Sequence, residues 1–256
     1  MKFSFGKNWQ AYSKNALTKK SLMDFKHDFD ELFNGIDFKN KKFIDIGFGQ
    51  GLAILIAAEK GADVVGIDID ANNIKALNIT LQEMGRVKVP KTDIVSILDD
   101  DYVNRYKSNY DIVHSWGVLH HTGNMTKGFD NACDLVATNG YFICSIYNRH
   151  WSSPIWKIIK YLYNISPLIC QQLINGFFYP IIFIAKWIVT GKNPKQKERG
   201  MNFFYDVIDW IGGYPYEYAT ENEIIELVSK KGFVCIKSCP AAVPTGCNEF
   251  VFERVN

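Results

Sequence analysis

At 256 residues, with 47% hydrophobic and 22% charged, the chain can bury a large core, and extensive disorder is excluded. A net charge of +2 is too small for a protein whose main partner is nucleic acid or an anionic membrane. The six cysteines (133, 144, 170, 235, 239 and 247) never fall at the two-residue gap of zinc or redox sites. They read as reduced thiols of a cytoplasmic protein, and Met1 to Gln10 lacks the apolar run of a secretory signal.

Residues 1–40 are mixed and aromatic and predict an N-terminal helical cap. Residues 41–147 alternate short apolar runs with amphipathic stretches. Phe43–Ile46 reads as a buried strand, Leu52 to Lys60 as a helix and Val64–Ile67 as a second strand. Ile74, Leu77, Leu81 and Met84 give Ala71–Met84 a helical period, and Gly85 ends it. A third strand is expected within Thr92–Ile97 and a fourth at Asp111–Trp116. Phe129, Ala132, Cys133 and Val136 form a helix face that stops near Gly140, and Tyr141–Ile146 is a fifth strand. Such alternation implies a parallel sheet covered by helices on both faces.

Residues 148–215 break the pattern and are rich in Trp, Tyr, Phe and Ile. The run Ile174–Val189 carries Asn175, Gly176, Pro180 and Lys186, which make it short and broken for a membrane span. It is read as part of a helical insertion forming a lid over the site, with membrane-surface contact as the less favoured alternative. In residues 216–256, Thr220 and Glu223 form a capping-box signature, Gly232 closes that helix, and Phe233–Ser238 and Glu249–Val255 predict an antiparallel hairpin. The expected fold is therefore α/β: one domain with a mostly parallel Rossmann-like sheet that ends in a hairpin.

Chemistry is concentrated in the strand–turn–helix Asp45-Ile46-Gly47-Phe48-Gly49-Gln50-Gly51, where three alternating glycines permit close backbone approach to a ligand. Leu52 stands where the dinucleotide pattern needs its third glycine, which argues against a nicotinamide cofactor. Asp68 ends the second strand, 17 residues after Gly51, where an acid can accept the two ribose hydroxyls. His120 and His121 follow the fourth strand at the sheet's ligand edge and suit a general base. His114, inside the strand, is read as structural. No His–carboxylate cluster has ligand spacing, so no catalytic metal is expected.

With these residues in place, the chain resembles the class I, Rossmann-like, S-adenosylmethionine-dependent methyltransferases over about residues 40–147 and the closing hairpin. The motif at 45–51, Asp68 and the stretch Ser115–Thr122 carry the likeness. It implies S-adenosylmethionine as cofactor, with S-adenosylhomocysteine as product. The methionine part is placed over Gly47–Gly51 and the ribose at Asp68. Adenine falls near Ser96, Ile97 and Asp99, with Asp93 as the competing acid. Trp9, Ile69 and Trp116 complete the implied cofactor set with Asp45. A related Glu-His pair lines the family's substrate pocket, which favours His121 over His120 as base.

Substrate contacts are expected from the insertion and the hairpin loop: Tyr147, Arg149, Arg199, Trp210, Tyr214, Asn248 and Glu249, with the arginines suited to a phosphate or carboxylate. Segments such as Phe5–Trp9, Arg199–Met201, Asp209–Glu217 and Gly246–Phe250 resemble a bacterial subgroup associated with surface polysaccharides. That likeness implies a hydroxyl or amine of a sugar- or phosphate-bearing small molecule as acceptor. An oxidoreductase and a noncatalytic cofactor-binding protein are the competing readings.

Overall fold

The computed structural model describes residues 3–85, 89–195 and 202–255. Seven strands form one sheet: β1 (Lys42–Ile46), β2 (Asp63–Asp68), β3 (Lys91–Ile94), β4 (Tyr110–Trp116), β5 (Val136–Tyr147), β6 (Phe233–Cys239) and β7 (Cys247–Arg254). Their order is β3-β2-β1-β4-β5-β7-β6. The first five run parallel, and β7 enters antiparallel between β5 and β6, with Phe142 opposite Phe252 and Tyr147 opposite Cys247. This is the Rossmann-like sheet with a terminal hairpin that the chain pattern implied.

Strand residues alternate between two cores. Ile44, Val113, Phe142 and Phe250 face one side, where α6 (Met125–Leu135) and α10 (Glu221–Ser229) pack through Phe129, Ala132, Ile224 and Val228. Phe43, Ile112, Ile143 and Val251 face the other, against α2 (Lys19–Leu32), α3 (Leu52–Glu59) and α4 (Asn72–Glu83). Period-two alternation with apolar residues on both faces is what a doubly covered sheet requires. The Thr220–Glu223 capping box forms as read, and a second, from Thr18 to Ser21, starts α2.

Several boundaries differ from the sequence reading. β3 covers Lys91–Ile94, earlier than the apolar residues of Thr92–Ile97 suggested, and the Val95 N–H makes the last rung to β2, donating to the Asp68 carbonyl at 2.9 Å. α6 ends at Leu135, and β5 starts at Val136, where an irregularity between Tyr110 and Ile112 shifts the register. A short α5 (Asp100–Arg105), not foreseen, follows β3.

The N-terminal stretch folds as α1 (Phe5–Asn15) and α2. The aromatic stretch folds as α7 (Ser153–Ile165), α8 (Leu168–Thr190) and α9 (Phe203–Gly212), which share a satellite core of Tyr163, Phe203, Val207 and Ile211. The expectation of a broken apolar run is corrected here. α8 continues for 23 residues through Pro180, and by length and composition it could cross a membrane. Packing of Phe178, Tyr179, Ile182 and Phe183 onto the satellite core holds the helix on both sides of the proline.

Candidate functional site

A cleft of about 930 Å³ opens at the carboxyl ends of β1, β2 and β4, between the sheet, α1 and the α7–α9 helices. That is where doubly wound sheets hold ligands. Its floor is the glycine turn. Gly47, Gly49 and Gly51 all have positive φ, at +75°, +53° and +82°. A Cβ on Gly47 would lie 2.4 Å from Val118, and one on Gly49 would lie 3.3 Å from the Trp9 indole. The turn is thus shaped by backbone alone, with α1 packed directly above it.

Asp68 is buried at the cleft's edge. Its carboxylate accepts from the Gly49 N–H at 3.3 Å, Asn73 Nδ2 at 2.8 Å and the Asp70 N–H at 2.9 Å. Burial pushes its pKa up while these hydrogen bonds oppose the rise. Asp70 fastens the cap: Ser4 Oγ donates to it at 3.0 Å and the Gly6 N–H at 3.1 Å, and these bonds contribute to holding its pKa low. Asn8 donates to Asp209 on α9 at 2.7 Å. The N-terminal helix therefore ties the cofactor edge of the cleft to its helical wall. No spacing rule points to the Ser4–Asp70, Gly6–Asp70 or Asn8–Asp209 bonds, since these partners lie far apart in the chain.

Beneath the turn, Asp45 is buried and receives His114 Nδ1 at 2.7 Å. His114, expected to be structural, is thus held in a buried pair, and both side chains also line the cleft. Trp116 donates through Nε1 to Glu249 at 2.8 Å, joining β4 to β7 at the cleft wall. Trp9, Ile69, Ser96 and Ile97 line the cleft as expected. Asp99 does not: its carboxylate accepts the Tyr102 N–H at 2.9 Å and caps α5. Asp93 lies in β3 and is not among the lining residues either.

The two histidines occupy a 3₁₀ turn, Leu119–His121, and their hydrogen bonds distinguish them. The Tyr147 N–H donates to His120 Nδ1 at 3.3 Å, so neutral His120 carries its proton on Nε2. His121 Nδ1 lies 2.6 Å from the Pro215 carbonyl, which can only accept, so Nδ1 is protonated and Nε2 keeps its lone pair. Burial drives both pKa values down, His121 to about 3 and His120 well below its ordinary value. Both are neutral at pH 7, and only His121 offers an acceptor nitrogen.

Tyr147 packs against both rings, with centroids 4.1 and 5.6 Å away, and burial raises its phenol pKa well above the ordinary value. Trp210 and Tyr214 line the cleft, and Trp210 packs edge-on to Trp156 at 4.2 Å. Asp209 sits among them, pushed up to about 8 by desolvation. Nearby Lys160, fully buried and bonded to the Trp210 carbonyl, is pushed down to about 7 by burial.

Two expected substrate contacts are corrected. Arg149 does not line the cleft and forms a two-pronged ion pair with Glu223, donating from Nη2 at 2.8 Å and from Nε at 3.2 Å. Asn248 is spent on loops, accepting from the Ala241 N–H at 2.9 Å and donating to Asn148 at 3.1 Å. Arg199 lies outside the described residues. The metal reading needs one amendment: among the described residues, His27, Asp28 and Glu31 could together reach an ion. They form a largely exposed patch on α2, and nothing points to an ion there.

The arrangement defines a class before it defines a chemistry. A family model described as a methyltransferase domain matches residues 19–208, and the chain belongs to that family. Among curated proteins, it is 27% identical over 140 residues to the ubiquinone biosynthesis O-methyltransferase of Nitrosomonas europaea, which covers 54% of this chain and 57% of that protein. It is 26% identical over 174 residues to the protein of the same name from Dechloromonas aromatica, covering 68% and 73%. The chain thus spans about half the length of the first curated relatives it matches.

Among solved structures, magnesium protoporphyrin IX methyltransferase from Synechocystis PCC 6803 with bound S-adenosylhomocysteine aligns with a TM-score of 0.57. The two chains share 14% identity, with 97% of this chain and 93% of that one covered. The likeness shows a shared fold, that of methyltransferases using S-adenosylmethionine. The residues present fit that cofactor. A positive-φ turn free of side chains, a buried carboxylate at the β2 terminus and apolar Ile69 and Ile97 beyond it match a methionine tail, a ribose and an adenine in turn.

Proposed function

We propose that the protein transfers a methyl group from S-adenosylmethionine to a hydroxyl of a largely apolar small molecule. The cofactor supplies an activated sulfonium methyl. Gly47–Gly51 would cradle its amino-acid end, Asp68 its ribose, and Ser96, Ile97 and Ile69 its base. The observation that carries the acceptor class is the cleft's outer wall, built from Phe25, Trp156, Ile181, Ile182, Phe203 and Trp210.

A sugar-phosphate acceptor finds no support. Among the described residues, Lys186 is the one lysine or arginine lining the cleft, and it faces Asp206 at 4.0 Å. Asp28, Asp70 and Glu249 also line it, and ionised carboxylates repel phosphate. The names of the curated relatives point to oxygen methylation of a quinone precursor, in keeping with apolar walls.

In this reading His121 Nε2 takes the hydroxyl proton, and the Pro215 carbonyl fixes the ring through Nδ1–H. His120, a donor at Nε2, orients the acceptor. Trp210, Tyr214 and Tyr147 would confine it, since positioning supplies much of the rate once the methyl is activated. The location proposed with this reading is the reducing cytoplasm, where six cysteines scattered without a two-residue gap stay as thiols.

The test is transfer of labelled methyl from S-adenosylmethionine to two acceptor sets: phenols and catechols with hydrocarbon tails, and nucleotide sugars. Product from the first set alone is expected. Product from nucleotide sugars alone would overturn the acceptor class.

A further inference from the structure

We propose that the outer face of α7 and α8 docks on the surface of an anionic lipid bilayer, with the cleft mouth against the lipid. A helix on a water-exposed protein surface normally shows one apolar stripe and one polar one. α8 has no polar side of that kind. Its inner stripe, Phe178, Tyr179, Ile182 and Phe183, packs on the satellite core. Its outer stripe, Ile169, Leu173, Phe177, Ile181, Ile184 and Ile188, recurs at helical spacing and is exposed, Ile188 at 78%. On α7, Ile155, Ile158, Leu162 and Ile165 form a second exposed stripe. Trp151 precedes α7 at 77% exposure, and Trp187 and Tyr161 are about half exposed. Tryptophan and tyrosine favour the headgroup region of a membrane.

Charge selects the occupant. Residues 135–197 contain no Asp or Glu but hold Arg149 and six lysines. The segment's formal charge is therefore +7, which against the chain's +2 leaves −5 for the remainder. Within it Lys160 is buried, Arg149 pairs with Glu223 and Lys186 faces Asp206, while Lys157, Lys192 and Lys195 are exposed, and an anionic leaflet attracts such lysines. A second copy of the chain is disfavoured, because self-association of this face would bring two sets of these exposed lysines together. Spanning is disfavoured too: α8 is packed against α9, which carries Asp206 and Asp209 and would be drawn into hydrocarbon. The helix therefore lies on the membrane rather than through it.

Ile181, Ile182, Ala185 and Val189 belong both to α8 and to the cleft lining, so the docked face would place the entrance where an apolar acceptor is dissolved. That last step rests on the proposed function; the docking does not, and it is measured without any methyl transfer. The full chain would be sedimented with vesicles of phosphatidylcholine alone, and of phosphatidylcholine with phosphatidylglycerol, at low and high salt.

Binding at least tenfold stronger to the anionic vesicles, weakened by salt, is expected. The triple variant Phe177→Gln, Ile184→Gln, Ile188→Gln, which alters only exposed positions, should lose at least tenfold of it while its melting temperature and S-adenosylmethionine affinity stay near wild type. Lys192→Glu with Lys195→Glu should remove most of the preference for anionic lipid. Three results would overturn the proposal: equal partition of wild type and triple variant, a concentration-dependent dimer that the triple variant abolishes without vesicle binding, or membrane attachment that resists high salt and alkaline carbonate as a span would.

Discussion

The glycine-turn half of the cleft and its helical half are built differently. In the first, the backbone does the shaping: positive-φ glycines follow a buried strand, and Asp68 is held by three local donors. In the second, side chains from distant segments converge: Trp210 and Asp209 from α9, Tyr147 from β5, His121 from the 3₁₀ turn and Asn8 from α1. Backbone-shaped sites leave a short, regular trace in a sequence. Convergent ones show single candidate residues but not the pairings between them, such as Asn8 with Asp209, because no spacing rule links residues that are two hundred positions apart.

The contrast can be broken by substitution, and the largest effect is expected in the helical half. His121→Gln keeps the ring's hydrogen-bonding shape in part but removes the acceptor nitrogen, so kcat should fall about 100- to 10,000-fold. His120→Gln should cost much less, since that ring has no free acceptor. With His121 at about pKa 3, wild-type turnover should show no histidine inflection between pH 6 and 9. Rates measured for the three proteins across that range decide it, and an inflection near 6.5 lost in His121→Gln would show that the base titrates normally.

Next comes the glycine turn. Gly49→Val asks for a β-branched residue at φ +53° with its Cβ against the Trp9 ring, so cofactor affinity should fall by two orders of magnitude or more. The same substitution at Gly35, also at positive φ and with nothing within 4 Å but outside the cleft lining, should cost stability while leaving cofactor affinity much closer to wild type. Calorimetric titration of both separates ligand shaping from plain strain. Asp68→Ala is expected to weaken cofactor binding by about 1–3 kcal/mol, the range for losing one partner of a buried hydrogen bond.

Stability should also respond to acid. The folded pKa of His121, about 3, lies below its ordinary 6.5, so between these values the unfolded chain binds the extra proton. The His121 contribution to stability is therefore lost as pH falls below 6.5, while Asp209, raised to about 8, works in the opposite direction over the same range. The His121 share is read by difference: from pH 7.5 to pH 5 the melting temperature of wild type should fall relative to that of His121→Gln. At the small end, Arg149→Ala breaks only an exposed pair, worth about 0–1 kcal/mol, and should leave turnover unchanged.

The same contrast explains what the sequence disclosed. The strand–turn–helix at 43–60, the place of Asp68 at the end of β2, the final hairpin and the place of the histidine pair just after β4 were legible because each is a local pattern with a fixed period or spacing. Arg149 and Asn248 were misassigned because their residue type suits a ligand, while Glu223 and the 240s loop, which claim them, become neighbours only after folding. Asp99 was misplaced for a related reason: an acid after a strand can serve a ligand or cap the next helix, and β3 was too short and irregular to predict α5 behind it. α8 was underrated because Pro180 reads as a breaker, whereas tertiary packing carries the helix through it.

The identity of the ligand on the glycine turn is settled most directly by one isothermal titration of the full chain with S-adenosylmethionine, S-adenosylhomocysteine and NAD⁺, repeated with Asp68→Ala. Saturable binding of the first two, none of NAD⁺, and a 5- to 150-fold loss in the variant are expected, the fold-change that corresponds to about 1–3 kcal/mol. Binding of NAD⁺ alone, or methionine-cofactor binding that Asp68→Ala leaves unchanged, would contradict the assignment of this cleft.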